Sequence, residues 1–265
     1  MKYATVDEVA TLVHHRGPTT LPGTGPDHDQ GRVVVCLHDA GSSCGIYSPL
    51  LDRLAADHSP LAYDQPGHGR SGSLDALPTL AAMADHLIDL VRQWSLGPVV
   101  AVGDGLGAAI ALETASRSPQ TVDAVVTLGR LVTGDALDPE IDRLAMITAG
   151  RARREFDQTG YAPDTAERAM KAAFAAWVRT DPRATLGARR AQRAWVVPDQ
   201  IPVPVLVVVG EATEDDARAE AENLAATIDS ATAAELAGAG RRGQIEQPEA
   251  LAGLIDRFIT GGGGA

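Results

Sequence analysis

Val102-Gly103-Asp104-Gly105-Leu106-Gly107-Ala108-Ala109 lies between the apolar run Pro98-Val99-Val100-Ala101-Val102 and a stretch with helical spacing over 106–117. Small residues on either side of a central position suit a sharp strand-to-helix turn, where the two backbones approach closely. In turns of this pattern the centre is commonly a serine nucleophile at the end of a strand. Here the centre is Gly105, which has no side chain to attack with. No histidine follows His86, so none stands downstream to act as its base.

Working outward, apolar strand-like runs alternate with amphipathic segments. Residues 4–15 read as an opening strand or hairpin, and 17–31, rich in Gly, Pro and Asp, as a loop. Strands are expected at 32–37, 61–63, 98–102, 122–128, 202–209 and 232–236, with helices at 46–57, 78–94, 106–117, 214–227 and 248–259. The clearest helix, 78–94, repeats Leu80, Met83, Ala84, Leu87, Leu90 and Val91 on one face. Residues 130–200 break the alternation and read as helical pieces, with 165–179 the clearest. Such alternation implies an α/β fold: a mostly parallel sheet flanked by helices. Residues 130–200 then form a helical cap inserted between two strands, near the carboxyl ends where ligands bind in such sheets. The expected organisation is a core of 1–129 and 201–265, the cap, and a flexible tail at 260–265.

Composition bounds the function. At 265 residues, 45% hydrophobic and 22% charged, the chain can bury a full core. No apolar run approaches the roughly 20 residues that span a bilayer, and Met1 to Glu8 is not a basic-then-apolar secretion signal. A net charge of −12 argues against nucleic acid as a partner. Cys36 and Cys44 suggest no disulfide framework, and Cys36 reads as a small buried hydrophobe. A cytoplasmic monomer or homodimer is expected. Lys2 and Lys171 are the only lysines; the Ala- and Arg-rich composition looks like GC-rich bacterial coding.

Five stretches in order resemble the α/β-hydrolase family. Leu37-His38-Asp39-Ala40-Gly41-Ser42 stands where that family has its His-Gly oxyanion loop. Asp64-Gln65-Pro66-Gly67-His68-Gly69-Arg70-Ser71 is similar to its Asp-x-x-Gly-His-Gly-x-Ser turn, and 102–109 to its elbow. Residues 203–211 resemble the strand before its acid, and 238–249 its histidine loop and last helix. The resemblance places Gly105 at the nucleophile position, Thr213 at the acid position and Arg241 at the histidine position, so all three triad positions are changed. It also places Asp39 where glycine is usual, and a carboxylate there would repel a developing oxyanion.

The candidate catalytic residues are Asp39, Asp104 and Arg241. Asp39 reads either as a proton-transfer group or as a salt-bridge partner of Arg241. Asp104 reads as a displaced nucleophile or base, or as a structural residue one position before the centre. Arg241 reads as a ligand-binding cation, or as paired to Asp39, Asp104 or Glu246, with Arg242 solvated. Ala40, Gly105, Leu106, Arg130 and Trp177 are the candidate substrate-binding residues. Trp177, Phe174 and Met170 suit a pocket roof or cap packing. Arg151, Arg153, Arg154, Arg189, Arg190 and Arg193 read as a basic cap edge or a solvated helix face. Ser42, Ser43 and Cys44 read as weak substitute nucleophiles, since no histidine has the right downstream position to activate them. His38, His68 and Asp64 read as structural.

No metal site is expected and no cofactor. The elbow resembles a dinucleotide loop only faintly, because Ala108 stands at the third glycine and no acid ends strand 122–128. Three functions compete. One is a cofactor-free, non-hydrolytic enzyme (cyclase, lyase or C–C bond-forming) acting on a small organic molecule, an anion among the candidates, as in bacterial natural-product biosynthesis. Another is a non-catalytic small-molecule-binding or partner protein. The last is a hydrolase with an unconventional nucleophile.

Overall fold

The computed structural model describes residues 1–17 and 31–261. Most of the expected loop at 17–31, and most of the expected tail at 260–265, lie outside the described residues. The strands are β1 (Lys2–Val6), β2 (Val9–His15), β3 (Val33–Leu37), β4 (Ser59–Tyr63), β5 (Val99–Asp104), β6 (Val122–Leu128), β7 (Val205–Gly210) and β8 (Ala231–Leu236). The helices are α1 (Ser48–Leu54), α2 (Leu80–Gln93), α3 (Leu106–Arg117), α4 (Asp138–Thr148), α5 (Glu167–Val178), α6 (Pro182–Arg193), α7 (Asp215–Thr227), α8 (Gly243–Glu246) and α9 (Pro248–Thr260).

The eight strands form one sheet in the order β1-β2-β4-β3-β5-β6-β7-β8. The β1–β2 and β2–β4 pairs are antiparallel and every other pair is parallel. The α/β-hydrolase fold expected from the sequence is the fold observed. The expected 46–57 helix is shorter, because Cys44–Tyr47 forms a 3-10 turn and α1 begins only at Ser48, with Pro49 in its first turn.

Every residue of β3, β4, β5 and β7 is buried, as continuous apolar strands covered on both faces should be. The two-residue period of a strand divides them between two cores. Val35, Leu37, Ala101, Val125 and Val207 pack with the apolar faces of α2 and α3. Val34, Cys36, Val100, Val102, Val126 and Val208 pack with α1, α5 and α9. Cys36 is fully buried, as its strand-like run implies. α2 starts where Thr79 accepts a hydrogen bond from the Ala82 N–H, and α6 where Asp181 accepts one from Arg183 ahead of Pro182.

α4, α5 and α6 fill the chain between β6 and β7. α6 joins the rest through small residues, Ala188 and Ala191, which sit in the same cluster as α3. Leu137, Ile141 and Leu186 close a separate small core between α4 and α6. Helix 165–179 is observed as Glu167–Val178, burying Ala169, Ala173 and Ala176. Among the described residues no helix is long and apolar enough to cross a membrane.

Candidate functional site

The elbow is built where β5 ends and α3 begins. Gly105 carries the turn at φ 54°, ψ −112°, a conformation side chains rarely adopt. Gly103 is required by close approach: a Cβ there would lie 2.3 Å from the Gly107 carbonyl carbon. At Gly105 the obstacle is different in kind, because a Cβ would lie 2.2 Å from Asp39 Oδ1. The space above the elbow is filled by a carboxylate.

Asp39 follows β3 and reaches back over that turn. Its Oδ1 accepts from the Ala40 N–H at 2.8 Å and the Leu106 N–H at 2.9 Å. Arg189 of α6 grips the same carboxylate with both ends of its guanidinium, Nη1 to Oδ1 at 2.8 Å and Nη2 to Oδ2 at 2.9 Å. Arg189 also donates from Nε to Glu140 at 2.9 Å and from Nη1 to Gln192 at 2.8 Å. Both members of the pair are nearly buried, with side chains 14% and 11% exposed. Burial pushes the Asp39 carboxyl up, but the charge and hydrogen bonds of Arg189, with the Leu106 N–H, outweigh it and hold it below the usual carboxylate range. His38 fixes the loop: its ring contacts the Asp39 carbonyl at 2.8 Å and accepts the Gln65 N–H at 3.1 Å.

Asp104, the last residue of β5, points beneath the turn. Its Oδ2 accepts from Gln244 Nε2 at 2.8 Å and from Arg242 Nη1 at 3.2 Å. Burial pushes its carboxyl up to about 6, against the pull of Arg242 and with the repulsion of Asp39. Glu246 organises the loop around it. It accepts from the Ala162, Gly240 and Arg242 N–H groups at 2.6, 3.1 and 3.0 Å and from Thr165 Oγ1 at 2.6 Å.

The site departs from several expectations. Arg241 pairs with none of Asp39, Asp104 and Glu246. Its side chain lies across Gly160, donates to Thr159 Oγ1 at 3.0 Å, and faces Glu214 at 3.4 Å and Asp157 at 3.9 Å. Arg242 is not a solvated residue but the partner of Asp104, with its guanidinium 6.0 Å from the Tyr161 ring. Both arginines line the cavity, but only Arg242 reaches Asp104. Arg130 does not converge on this space: α7 captures it, with Glu220 accepting two bonds at 2.8 Å and Asp216 at 3.3 Å. Arg189 is not on a solvated helix face. No periodicity flags it; the clue was Asp39, a buried anion that demands a cation. Thr213 is buried, and its Oγ1 finds no partner among the described residues.

A cavity of about 560 Å³ opens over this floor. Asp39, Ala40, Trp177, Arg241 and Arg242 line it; Gly105 and Leu106 do not, because the Asp39 carboxylate covers the turn. Leu106 is instead fully buried in the core. On the side of α4 and α5 the wall is aromatic. Phe156, Phe174 and Trp177 pack with ring centroids 5.5 to 5.6 Å apart, although Phe174 itself is about half exposed and outside the lining.

A model of the alpha/beta hydrolase family matches residues 34–254. The 2-(acetamidomethylene)succinate hydrolase of Mesorhizobium japonicum is 26% identical over 208 residues, covering 69% of this chain and 72% of that protein. The putative carbamate hydrolase RutD of Yersinia enterocolitica is 35% identical, but over 106 residues that span only 38% of its length. Among solved structures, the enol-lactonase of Burkholderia xenovorans LB400 superposes with a TM-score of 0.78 at 21% identity, covering 98% of this chain and all of that one. At that identity the likeness speaks for the fold alone.

Proposed function

The chain belongs to the alpha/beta hydrolase family, and from that premise we propose that it is a non-hydrolytic, cofactor-free member that holds a small anionic organic molecule in its cavity. One observation carries this reading: Asp39 Oδ1 accepts the N–H groups of Ala40 and Leu106. In this fold the N–H after the nucleophile position and an N–H of the loop after an inner strand make the oxyanion hole. A tetrahedral oxyanion would have to displace a carboxylate that Arg189 clamps on both oxygens. The triad positions agree. Glycine at 105 has no attacking atom, Thr213 carries no charge to steady a histidine, and the guanidinium of Arg241 is a donor without an acceptor lone pair. The succinate in the name of the Mesorhizobium relative is in keeping with an anionic ligand.

As an enzyme (cyclase, lyase or C–C bond-forming), such a site works chiefly by positioning. Asp104 lies outside the cavity lining, behind Arg242, so it serves by holding that arginine at the wall. A second reading, binding without turnover, is favoured by the Asp39–Arg189 pair, which leaves Asp39 no free charge to offer a substrate. Asp104 as a nucleophile is disfavoured, because its bonded oxygen faces Gln244 and Arg242 beneath the turn.

The test is mass spectrometry of metabolite extract incubated with the protein in ¹⁸O-labelled water. A product at unchanged mass, a merger of two features or a cleavage without label supports the enzyme. A feature that is depleted and then recovered unchanged on denaturation supports binding. Uptake of one labelled water overturns the non-hydrolytic reading.

A further inference from the structure

Five arginines and four carboxylates line the cavity. Four of the arginines are matched within the protein. Arg143 pairs with Glu155 at 2.7 Å, Arg189 with Asp39, Arg241 with Glu214 and Arg242 with Asp104. Arg154 is different. Its guanidinium lies 4.1 Å over the Trp177 ring, and Nη2 donates to the Trp177 carbonyl at 2.5 Å. Among the described residues no carboxylate stands within ion-pair distance of it, and its other N–H groups have no protein acceptor; Asp181 acts on it only at longer range. A guanidinium has five N–H groups in a planar fork suited to a carboxylate.

A second polar group is unmatched in the lining of the same cavity. Ser42 is 7% exposed and lines the cavity, yet its Oγ has no partner. Its backbone carbonyl accepts from Thr180 Oγ1 at 2.9 Å. Thr180 lies three residues after Trp177, whose carbonyl holds Arg154. The Ser42 backbone and the Arg154 guanidinium are therefore both anchored at the C-terminal end of α5. Beside them, Phe156, Tyr161 and Trp177 add aromatic rings to the lining, those of Phe156 and Trp177 tilted by 58°. A buried hydroxyl without a partner is costly unless a ligand satisfies it.

We propose that the ligand is a small aromatic carboxylate, its ring against Phe156, Tyr161 and Trp177 and its carboxylate on Arg154 and Ser42 Oγ. This rests on the cavity being the working site, and adds to that the chemical class it selects. The probes are phenylacetate and its neutral near-isostere phenylacetamide, titrated calorimetrically into the full chain. Phenylacetate should bind at least about tenfold tighter, the range expected of a charge-assisted bidentate contact. Arg154→Gln should bring the two affinities to near parity while leaving that of the amide within about twofold. Ser42→Ala, which removes one unbonded oxygen and spares the wall, should weaken phenylacetate several-fold and so decides the matter even if Arg154→Gln does not fold. No discrimination by the wild type, discrimination surviving in Arg154→Gln, or an unchanged Ser42→Ala would overturn the proposal. Hydrolysis of phenyl acetate, an ester, would instead overturn the non-hydrolytic reading and leave the carboxylate preference intact.

Discussion

The two sides of the cavity handle charge in opposite ways. Over the elbow, Asp39 and Arg189 satisfy one another on both oxygens, and Asp104 is held by Arg242 and Gln244. Near the end of α5, Arg154 has one carbonyl and the Trp177 ring but no carboxylate, and Ser42 Oγ has no partner among the described residues. Charges closed on each other hold a fold in place; charges left open wait for a ligand. At the floor, the Asp39–Arg189 pair joins α6 to the elbow.

The sharpest way to break the contrast is Arg189→Met. It leaves Asp39 buried and without its cation, which should cost about 3–5 kcal/mol in a denaturant melt. Adding Asp39→Ala should return most of that loss, since the pair is then absent rather than broken. A single variant that melts within about 1 kcal/mol of the wild type would show that the joint is not structural.

Gly105→Ala comes next. The strained turn and the 2.2 Å approach to Asp39 Oδ1 should cost about 2–3 kcal/mol. In an Asp39→Gly background the cost should shrink toward the backbone strain alone. Equal costs in the two backgrounds would mean that Asp39 does not stand over the elbow.

pH sharpens the floor itself. The folded state holds a proton on Asp104 up to about pH 6, whereas an ordinary aspartate releases it near 3.8. The folded state therefore binds more protons between these values, and stability should fall as pH rises from 4 to 6. A shift of about two units corresponds to on the order of 2–3 kcal/mol, and Asp104→Asn should flatten that slope. Asp39 has the opposite sign: its contribution is present above the usual carboxylate range and is lost only as pH falls through its depressed value. A wild-type slope that Asp104→Asn leaves untouched would move the titration to another group. Arg241→Ala should do least. Its ion pairs at 3.4 and 3.9 Å involve exposed acids, and such contacts are worth under about 1 kcal/mol.

The sheet was legible because strands buried on both faces write themselves as continuous valine-rich apolar runs, as at Val33–Leu37 and Val205–Gly210. The elbow was legible because only small residues permit it. The partners of the charged residues were not. Asp39 marked a buried anion, but nothing in the spacing of Arg189 separates it from Arg190 or Arg193, and only the placement of α6 over the elbow selects it. Arg241 and Arg242 differ by one position, and loop geometry rather than residue type sends the second to Asp104. Arg154 read only as one of six arginines of a basic cap edge or a solvated helix face, because its stacking on Trp177 joins segments 23 residues apart.

The central claim is that the Asp39 carboxylate occupies the position where an oxyanion would sit. Amide chemical shifts of Ala40 and Leu106, followed in ¹⁵N-labelled protein, test it most directly. Asp39→Ala should move both amide protons upfield as their acceptor is lost, and added formate should drive both back as it takes the vacated place beside Arg189. Amides that ignore both the substitution and formate would show that the oxyanion position was never filled by Asp39.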